Sequence, residues 1–158
     1  MQVGRNRVKP HIMHHEARTA CIVTVEDNPA DVFLIGMVLK DQGVPFKLIH
    51  LTDGEHAIRA LSAMDAPDLI LLDLSLPLIN GFEVLKKLRK QEHLAQVPIA
   101  ILSSSESQRD RWHAERSGAT RYVVKMTTLE AFRSEVGNAV IALLQRSRSR
   151  NSETKYAN

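Results

Sequence analysis

Short apolar runs alternate with amphipathic segments along most of the chain. Five apolar runs are predicted to form strands: residues 21–25, 46–51, 69–72, 99–102 and 122–124. The run at 69–72, Leu-Ile-Leu-Leu, contains no polar residue, which is typical of a strand covered on both faces. Five segments between and after these runs are predicted to be helical: residues 29–42, 54–64, 81–91, 106–117 and 128–146. The pattern therefore predicts five strand–helix units.

Strands that alternate with helices indicate a parallel sheet with helices on both faces. Because crossovers are right-handed, five such units predict an α/β, flavodoxin-like, doubly wound sheet with strand order 2-1-3-4-5. We expect one domain over residues 20–146, a basic, flexible extension over 1–19 and a disordered, polar, basic tail over 147–158. In this fold ligands bind beyond the carboxyl ends of the strands, near the point between strands 1 and 3 where the strand order reverses.

The charge of the 158-residue chain is unevenly distributed. Its net charge is +3, yet residues 1–19 and 146–158 each carry +3, so residues 20–145 carry −3. Basic ends can contact nucleic acid or membrane, but the Arg-Ser-Arg-Ser-Arg segment at 146–150 has no interleaved aromatic residue, which favours a solubilising role. The sequence has neither an apolar run of about 20 residues nor a secretory signal, and its lone Cys21 is expected in the core, so we expect a cytoplasmic protein that does not bind membrane.

Polar residues follow four of the predicted strands at the point where each ends. Glu26 and Asp27 follow the first strand, Asp73 the third, Ser103 the fourth and Lys125 the fifth. In a parallel sheet these ends share one edge, so the three acids are expected within several ångströms of one another. Their mutual repulsion costs stability unless a cation lies among them, and a donor set of oxygens favours Mg²⁺. One such acid could be an ordinary solvated loop residue. That interpretation explains poorly why three acids, a hydroxyl and an ammonium group converge from four strands.

This group of side chains suits phosphoryl transfer. A carboxylate can attack phosphorus and form an acyl phosphate. The transfer depends mainly on positioning and on neutralisation of charge, which Mg²⁺ and Lys125 can supply. Ser103 can donate a hydrogen bond to the arriving phosphoryl group.

Four segments carry a resemblance to a known family. They are VEDNPAD at 25–31, LDLSLPLING at 72–81, ILSSS at 101–105 and GATRYVVK at 118–125. Together, in this order and at this spacing, they resemble the receiver domains of two-component response regulators, over residues 20–146. The first and third segments are most similar to the small stand-alone receivers that partner bacterial phytochromes and hybrid histidine kinases.

The resemblance implies roles for the residues at the strand ends. Asp73 would be the phosphoacceptor, and Lys125 would pair with the phosphoryl group. Asp27 and Asp73 would hold Mg²⁺ through their side chains, Ser75 through its backbone carbonyl, and Glu26 through a metal-bound water. The chain would not be an enzyme, beyond Mg²⁺-dependent self-phosphorylation from small donors and slow autodephosphorylation.

The resemblance also implies how a signal leaves the domain. Ser103 and Tyr122 would form a switch pair, in which the hydroxyl moves toward the phosphoryl group and the ring turns inward. The donor would be a cognate histidine kinase, and output would be contact of a downstream protein with the face formed by the fourth helix, fifth strand and fifth helix. No DNA-binding domain is expected after residue 146. A homodimer stays an open alternative, with Leu143 and Leu144 as candidate contacts.

Two residues depart from the family pattern. Position 26 is Glu where the family usually has Asp, and position 126 is Met where it usually has Pro. A cis peptide bond before a residue other than proline costs about 2.5–4 kcal/mol. The Lys125–Met126 bond is therefore expected either to be trans, with a shifted loop, or to store strain.

Three other functions compete with a phosphorylated receiver. A receiver-like binding module that no longer uses phosphate would explain the two departures. A Mg²⁺-dependent phosphatase with an aspartate nucleophile would need a second acid two residues later, where this chain has Ser75. A nucleic-acid binder would act through the basic tails.

Overall fold

The computed structural model describes residues 18–156, with side chains described through residue 150. The strands are β1 (Ala20–Val25), β2 (Phe46–Leu51), β3 (Leu69–Asp73), β4 (Ile99–Ser103) and β5 (Arg121–Val124). The helices are α1 (Pro29–Asp41), α2 (Gly54–Ala63), α3 (Gly81–Arg89), α4 (Gln108–Arg116) and α5 (Leu129–Tyr156), with a 3₁₀ turn at Glu92–Leu94. All strands pair in parallel in the order β2-β1-β3-β4-β5, which confirms the predicted fold.

Two apolar layers cover the sheet. Every residue of β3 is buried, as its uninterrupted apolar run predicts. Ile70 and Leu72 face the layer formed by α2, α3 and α4, whereas Leu69 and Leu71 face α1 and α5. Burial of each such side chain contributes roughly 1.5–3 kcal/mol, so this central strand anchors the end at which Asp73 emerges.

Side-chain caps fix the loops at the carboxyl edge of the sheet. Asn28, Asp53, Asn80 and Ser107 each precede a helix, and each side chain accepts a hydrogen bond from a backbone N–H group in the first turn. Such a cap is worth about 1 kcal/mol. These caps set where each chain segment turns from its strand into the following helix, and so fix the frame around the strand ends.

The end of α5 differs from the sequence prediction. The helix was expected to end near residue 146, with a disordered tail over 147–158, but it continues to Tyr156. No glycine or proline follows Gly137, and the arginines, glutamate and lysine of this segment favour helix. Leu143 and Leu144, candidate contacts with a second subunit, are instead 5% and 3% exposed in the chain's own core.

Three other predictions concern the ends of the chain, the Lys125–Met126 peptide bond and membrane-spanning helices. The extension 1–19 falls almost wholly outside the described residues, as do residues 157–158. Among the residues described, no peptide bond is cis, so Lys125–Met126 is trans. None of the described helices combines the length and the apolar character that crossing a bilayer requires.

Candidate functional site

One lysine joins three carboxylates at the carboxyl edge of the sheet. Lys125 Nζ donates hydrogen bonds to Glu26 Oε2 at 2.6 Å, Asp31 Oδ2 at 2.8 Å and Asp73 Oδ2 at 2.9 Å. Glu26 and Asp73 are buried, and Asp31 is half-buried. An ammonium group has three N–H donors, so the three carboxylates use the whole capacity of this side chain.

Backbone hydrogen bonds hold Glu26 and Lys125 in place directly after β1 and β5. The Glu26 N–H donates to the Leu51 carbonyl at 3.0 Å, and the Lys125 N–H donates to the Ser103 carbonyl at 2.7 Å. Glu26 and Lys125 therefore lie one residue beyond β1 and β5 with their backbones still held by the neighbouring strand. Asp73 is the last residue of β3, the central strand, which pairs with β1 on one side and β4 on the other.

The loop after Asp73 is held close to the Asp73 carboxylate. Asp73 Oδ1 accepts a hydrogen bond from the Ser75 N–H at 2.9 Å. The Gly81 N–H donates to the Leu74 carbonyl at 3.0 Å, and a Cβ on Gly81 would lie 2.3 Å from the Asp73 carbonyl oxygen. Leu78 in this loop has a φ of 68°, a left-handed conformation that is costly for a leucine. The loop thus closes tightly, and only glycine fits where α3 begins.

Burial and the shared lysine perturb the ionisation of the site. Burial raises the pKa of Glu26 from 4.5 to about 7, against the hydrogen bonds from Lys125 and from the Asn28 N–H. Burial acts to lower the pKa of Lys125, but the hydrogen bonds to the three carboxylates together outweigh it, so this pKa lies above its ordinary 10.5. With every acid ionised, one ammonium faces three carboxylates, and the remaining negative charge favours a further cation.

The three acids that converge differ by one residue from the predicted set of Glu26, Asp27 and Asp73. Ligand oxygens of Glu26, Asp31 and Asp73 lie within 4.8 Å of one another, whereas Asp27 is exposed and outside this group. Asp31 was missed because it lies in the first turn of α1 rather than at a strand end. Its only sequence signal is its place as the last residue of the VEDNPAD segment.

The two predicted switch residues, Ser103 and Tyr122, each form a hydrogen bond with Ser105. Ser103 Oγ accepts a hydrogen bond from the Ser105 N–H at 3.1 Å, and the Tyr122 hydroxyl donates to the Ser105 carbonyl at 2.9 Å. Ser105 Oγ in turn donates to Asp110 Oδ2 at 2.6 Å. The Arg111 guanidinium lies 4.9 Å from the centroid of the Tyr122 ring, which is buried. The β4–α4 loop therefore holds the ring in an inward position.

Comparison with known proteins decides the family. Residues 22–137, most of the chain, match the sequence profile of the response regulator receiver domain. The chain belongs to the response regulator receiver family. The resemblance drawn from the four sequence segments is thereby confirmed.

Individual relatives match this receiver over nearly their whole length. PilH of Pseudomonas aeruginosa is 27% identical over 123 residues, which are 78% of this chain and 98% of PilH. The crystal structure of the phosphorylated cyanobacterial phytochrome response regulator RcpA has 32% sequence identity and a TM-score of 0.72, covering 77% of this chain and 91% of that one. The Mn²⁺-bound form of the response regulator Rcp1 has 31% identity and a TM-score of 0.70, covering 75% and 90%.

Proposed function

We propose that this receiver accepts a phosphoryl group on Asp73 from a cognate histidine kinase. The observation that carries the proposal is the placement of the Asp73 carboxylate at the end of β3, bonded to Lys125 Nζ through one oxygen and to the Ser75 N–H through the other. A carboxylate oxygen attacks phosphorus as the bond from phosphorus to the donor imidazole nitrogen breaks, which leaves an acyl phosphate on Asp73. The similarity to phosphorylated RcpA supports this chemistry.

The acidic group fits Mg²⁺. Its donors are all oxygens, ligand atoms of its three carboxylates lie within 4.8 Å of one another, and their charge exceeds that of Lys125. Asp73 and the Ser75 carbonyl would hold the ion, and Glu26 would hold a water molecule bound to it. Asp27 follows Glu26 in the chain and would join them by turning its exposed carboxylate toward this group. Mg²⁺ supplies neutralisation of the negative charge on the phosphoryl oxygens. The Mn²⁺-bound form of the relative Rcp1 supports this assignment.

Lys125 must exchange partners when the phosphoryl group arrives. Its three N–H donors are all used by carboxylates, so a hydrogen bond to a phosphoryl oxygen requires the release of one of them. The Asp73 oxygen is the natural one to release, since that carboxylate loses its charge when it becomes an acyl phosphate. Glu26 and Asp31 then hold the ammonium beside the new group.

The proposed output is a protein contact on the α4–β5–α5 face. Ser103 would turn its hydroxyl toward the phosphoryl group and so change its bond to the Ser105 N–H. Because the Tyr122 ring is already buried, the movement would act on the hydrogen bond between its hydroxyl and the Ser105 carbonyl instead of turning the ring inward. A groove of about 420 Å³ on this face is lined by residues of all three elements, among them Arg111, Tyr122 and Glu135. A downstream protein, or a second copy of the chain, would dock there.

One experiment tests the phosphoacceptor. The protein is incubated with Mg²⁺ and acetyl phosphate and its intact mass is measured. We expect one added phosphoryl group in the wild type and in Asp65→Asn, a control at an exposed aspartate, but none in Asp73→Asn. No addition in the wild type would favour a module that no longer uses phosphate, and sustained, rapid turnover of the donor would favour a phosphatase. Transfer from a phosphorylated histidine kinase domain, measured on the same three proteins, tests the donor.

A second experiment tests the output face. Beryllofluoride, which mimics a phosphoryl group on a carboxylate, is added with Mg²⁺ while the fluorescence of Trp112 is recorded. Trp112 lies on α4 and is 59% exposed, with the Arg116 guanidinium 4.9 Å from its ring centroid. We expect a saturable change in fluorescence that requires Mg²⁺. Sedimentation of the same samples measures whether the molecular mass changes with it. An unchanged signal despite bound beryllofluoride would refute coupling to α4.

A further inference from the structure

A second polar cavity lies at the edge of the sheet opposite to Asp73. It has a volume of about 420 Å³ and is bounded by the segments that precede β4 and β5 and by the later turns of α5. Among the lining residues that the structure describes, three are arginines, Arg89 from α3 and Arg146 and Arg150 from α5, and none is acidic. Volumes of this size are typical of sites for small molecules.

The Arg89 guanidinium is fixed at one wall of this cavity. Its Nε donates to the Gly118 carbonyl at 2.8 Å, and its Nη1 donates to the Leu94 carbonyl at 2.9 Å and to the Val97 carbonyl at 2.8 Å. Its Nη2 makes one long contact, 3.5 Å to Thr120 Oγ1. Nη2 can therefore still donate hydrogen bonds, and it is held in a rigid position beside Thr120, which lines the cavity.

Arg146 and Arg150 bring two further positive charges to the same space. They are four residues apart on α5, so they lie on the same face of the helix. Arg150 Nη1 donates to Gln96 Oε1, another lining residue, at 3.4 Å. Burial lowers the pKa of Arg89, and the positive charge of Arg150 lowers it further.

We propose that this cavity binds a small phosphate-type oxyanion with two or more negative charges, such as pyrophosphate or the phosphate chain of a nucleotide. The planar fork of a guanidinium matches two phosphate oxygens at once, which an ammonium group cannot do. Thr120 and the Gln96 amide add neutral polar groups, and Val97 and Pro98 add apolar wall. A bound anion would bridge α3 and the C-terminal part of α5. The site is independent of the chemistry at Asp73.

The test is calorimetric titration of the full chain with pyrophosphate at near-physiological salt. We expect saturable binding of one anion per chain, and a roughly tenfold or greater loss of affinity in Arg146→Gln and in Arg150→Gln, since each removes charged hydrogen-bond donors. Arg148→Gln is the matched control. It removes the same charge from the same helix, but Arg148 does not line this cavity and donates to the Arg18 carbonyl at 3.4 Å. Affinity in this control, and in Asp73→Asn, should stay within about twofold of the wild type.

Three outcomes would overturn the proposal. They are the absence of saturable binding, an equal loss of affinity in Arg148→Gln, and NMR shifts on titration that miss Gln96 and Thr120. The second outcome would show a diffuse electrostatic attraction by the basic helix instead of a site.

Arg146→Lys keeps the charge without the planar fork of the guanidinium, and its affinity should lie between those of the wild type and Arg146→Gln. The far-UV circular dichroism of each variant shows whether it is folded.

Discussion

Replacing Glu26 by glutamine removes a buried titrating group while nearly preserving the shape of the side chain. Glu26 is 1% exposed, and burial raises its pKa from 4.5 to about 7 although Lys125 lies 2.6 Å away. In the metal-free protein, the folded chain therefore binds this proton more tightly than the unfolded chain does. The difference makes the free energy of unfolding depend on pH.

The sign and size of the effect follow from the two pKa values. Between pH 4.5 and about 7 the folded state holds more protons than the unfolded state, so stability falls as pH rises through this window. The contribution is fully present below pH 4.5 and is lost above about pH 7. At 1.36 kcal/mol for each pKa unit, the whole change amounts to about 3 kcal/mol. Glutamine does not titrate, so Glu26→Gln should lose this component and should exceed the wild type in stability at pH 8.

The assay is urea unfolding in EDTA at several pH values from 4 to 8, followed by circular dichroism. The wild type, Glu26→Gln and Glu55→Gln are compared, since Glu55 is exposed on α2 and serves as the control. Every titratable group other than the one replaced is common to the proteins compared, so its contribution cancels in the differences. Equal pH dependence in the wild type and Glu26→Gln would refute the assignment of a buried, proton-binding carboxylate at this position.

Three further predictions also use urea unfolding, the first of them without EDTA. Mg²⁺ at about a hundred times its Kd should stabilise the wild type by about 2.7 kcal/mol, and Asp73→Asn should lose most of this gain; an equal gain in both would place the ion elsewhere. Arg89→Ala should cost roughly 3–5 kcal/mol, because it leaves three carbonyls without their short hydrogen bonds, and a loss below about 1 kcal/mol would contradict that role. Gly81→Ala should cost about 3 kcal/mol and slow labelling by acetyl phosphate, because its Cβ would lie 2.3 Å from the Asp73 carbonyl oxygen. Gly36→Ala is its control: a Cβ there meets nothing within 4 Å, so stability should stay equal or rise by up to about 1 kcal/mol.

The sheet and the edge that carries the site could be predicted from the sequence because both follow from strong, local signals. The continuous apolar runs of β3 and β4 identify buried strands, and right-handed crossovers then leave few possible strand orders. A polar residue that directly follows a parallel strand must lie at the carboxyl edge. Asp73 and Lys125 were therefore expected near each other although they are 52 residues apart, and the distance between them is 2.9 Å.

Other features depend on the orientation of a helix, which the pattern of strands does not specify. Asp31 reaches Lys125 only because the first turn of α1 faces the sheet, whereas Asp27, at a predicted strand end, is exposed. The end of α5 was placed too early because a polar segment without glycine or proline can be either helix or coil. The cavity of three arginines was missed for a similar reason, since it brings the end of α3 against the later turns of α5.

Ser105 links the site to the proposed output face through three hydrogen bonds. Its N–H contacts Ser103 at the end of β4, its carbonyl accepts from Tyr122 on β5, and its hydroxyl donates to Asp110 on α4. In the proposed function, Ser103 rotates toward a phosphoryl group on Asp73, so the first contact changes. Because the other two hydrogen bonds belong to the same residue, the movement reaches β5 and α4 together. In this proposal Ser103 and Tyr122 need no direct contact with each other, since the loop that contains Ser105 would couple them.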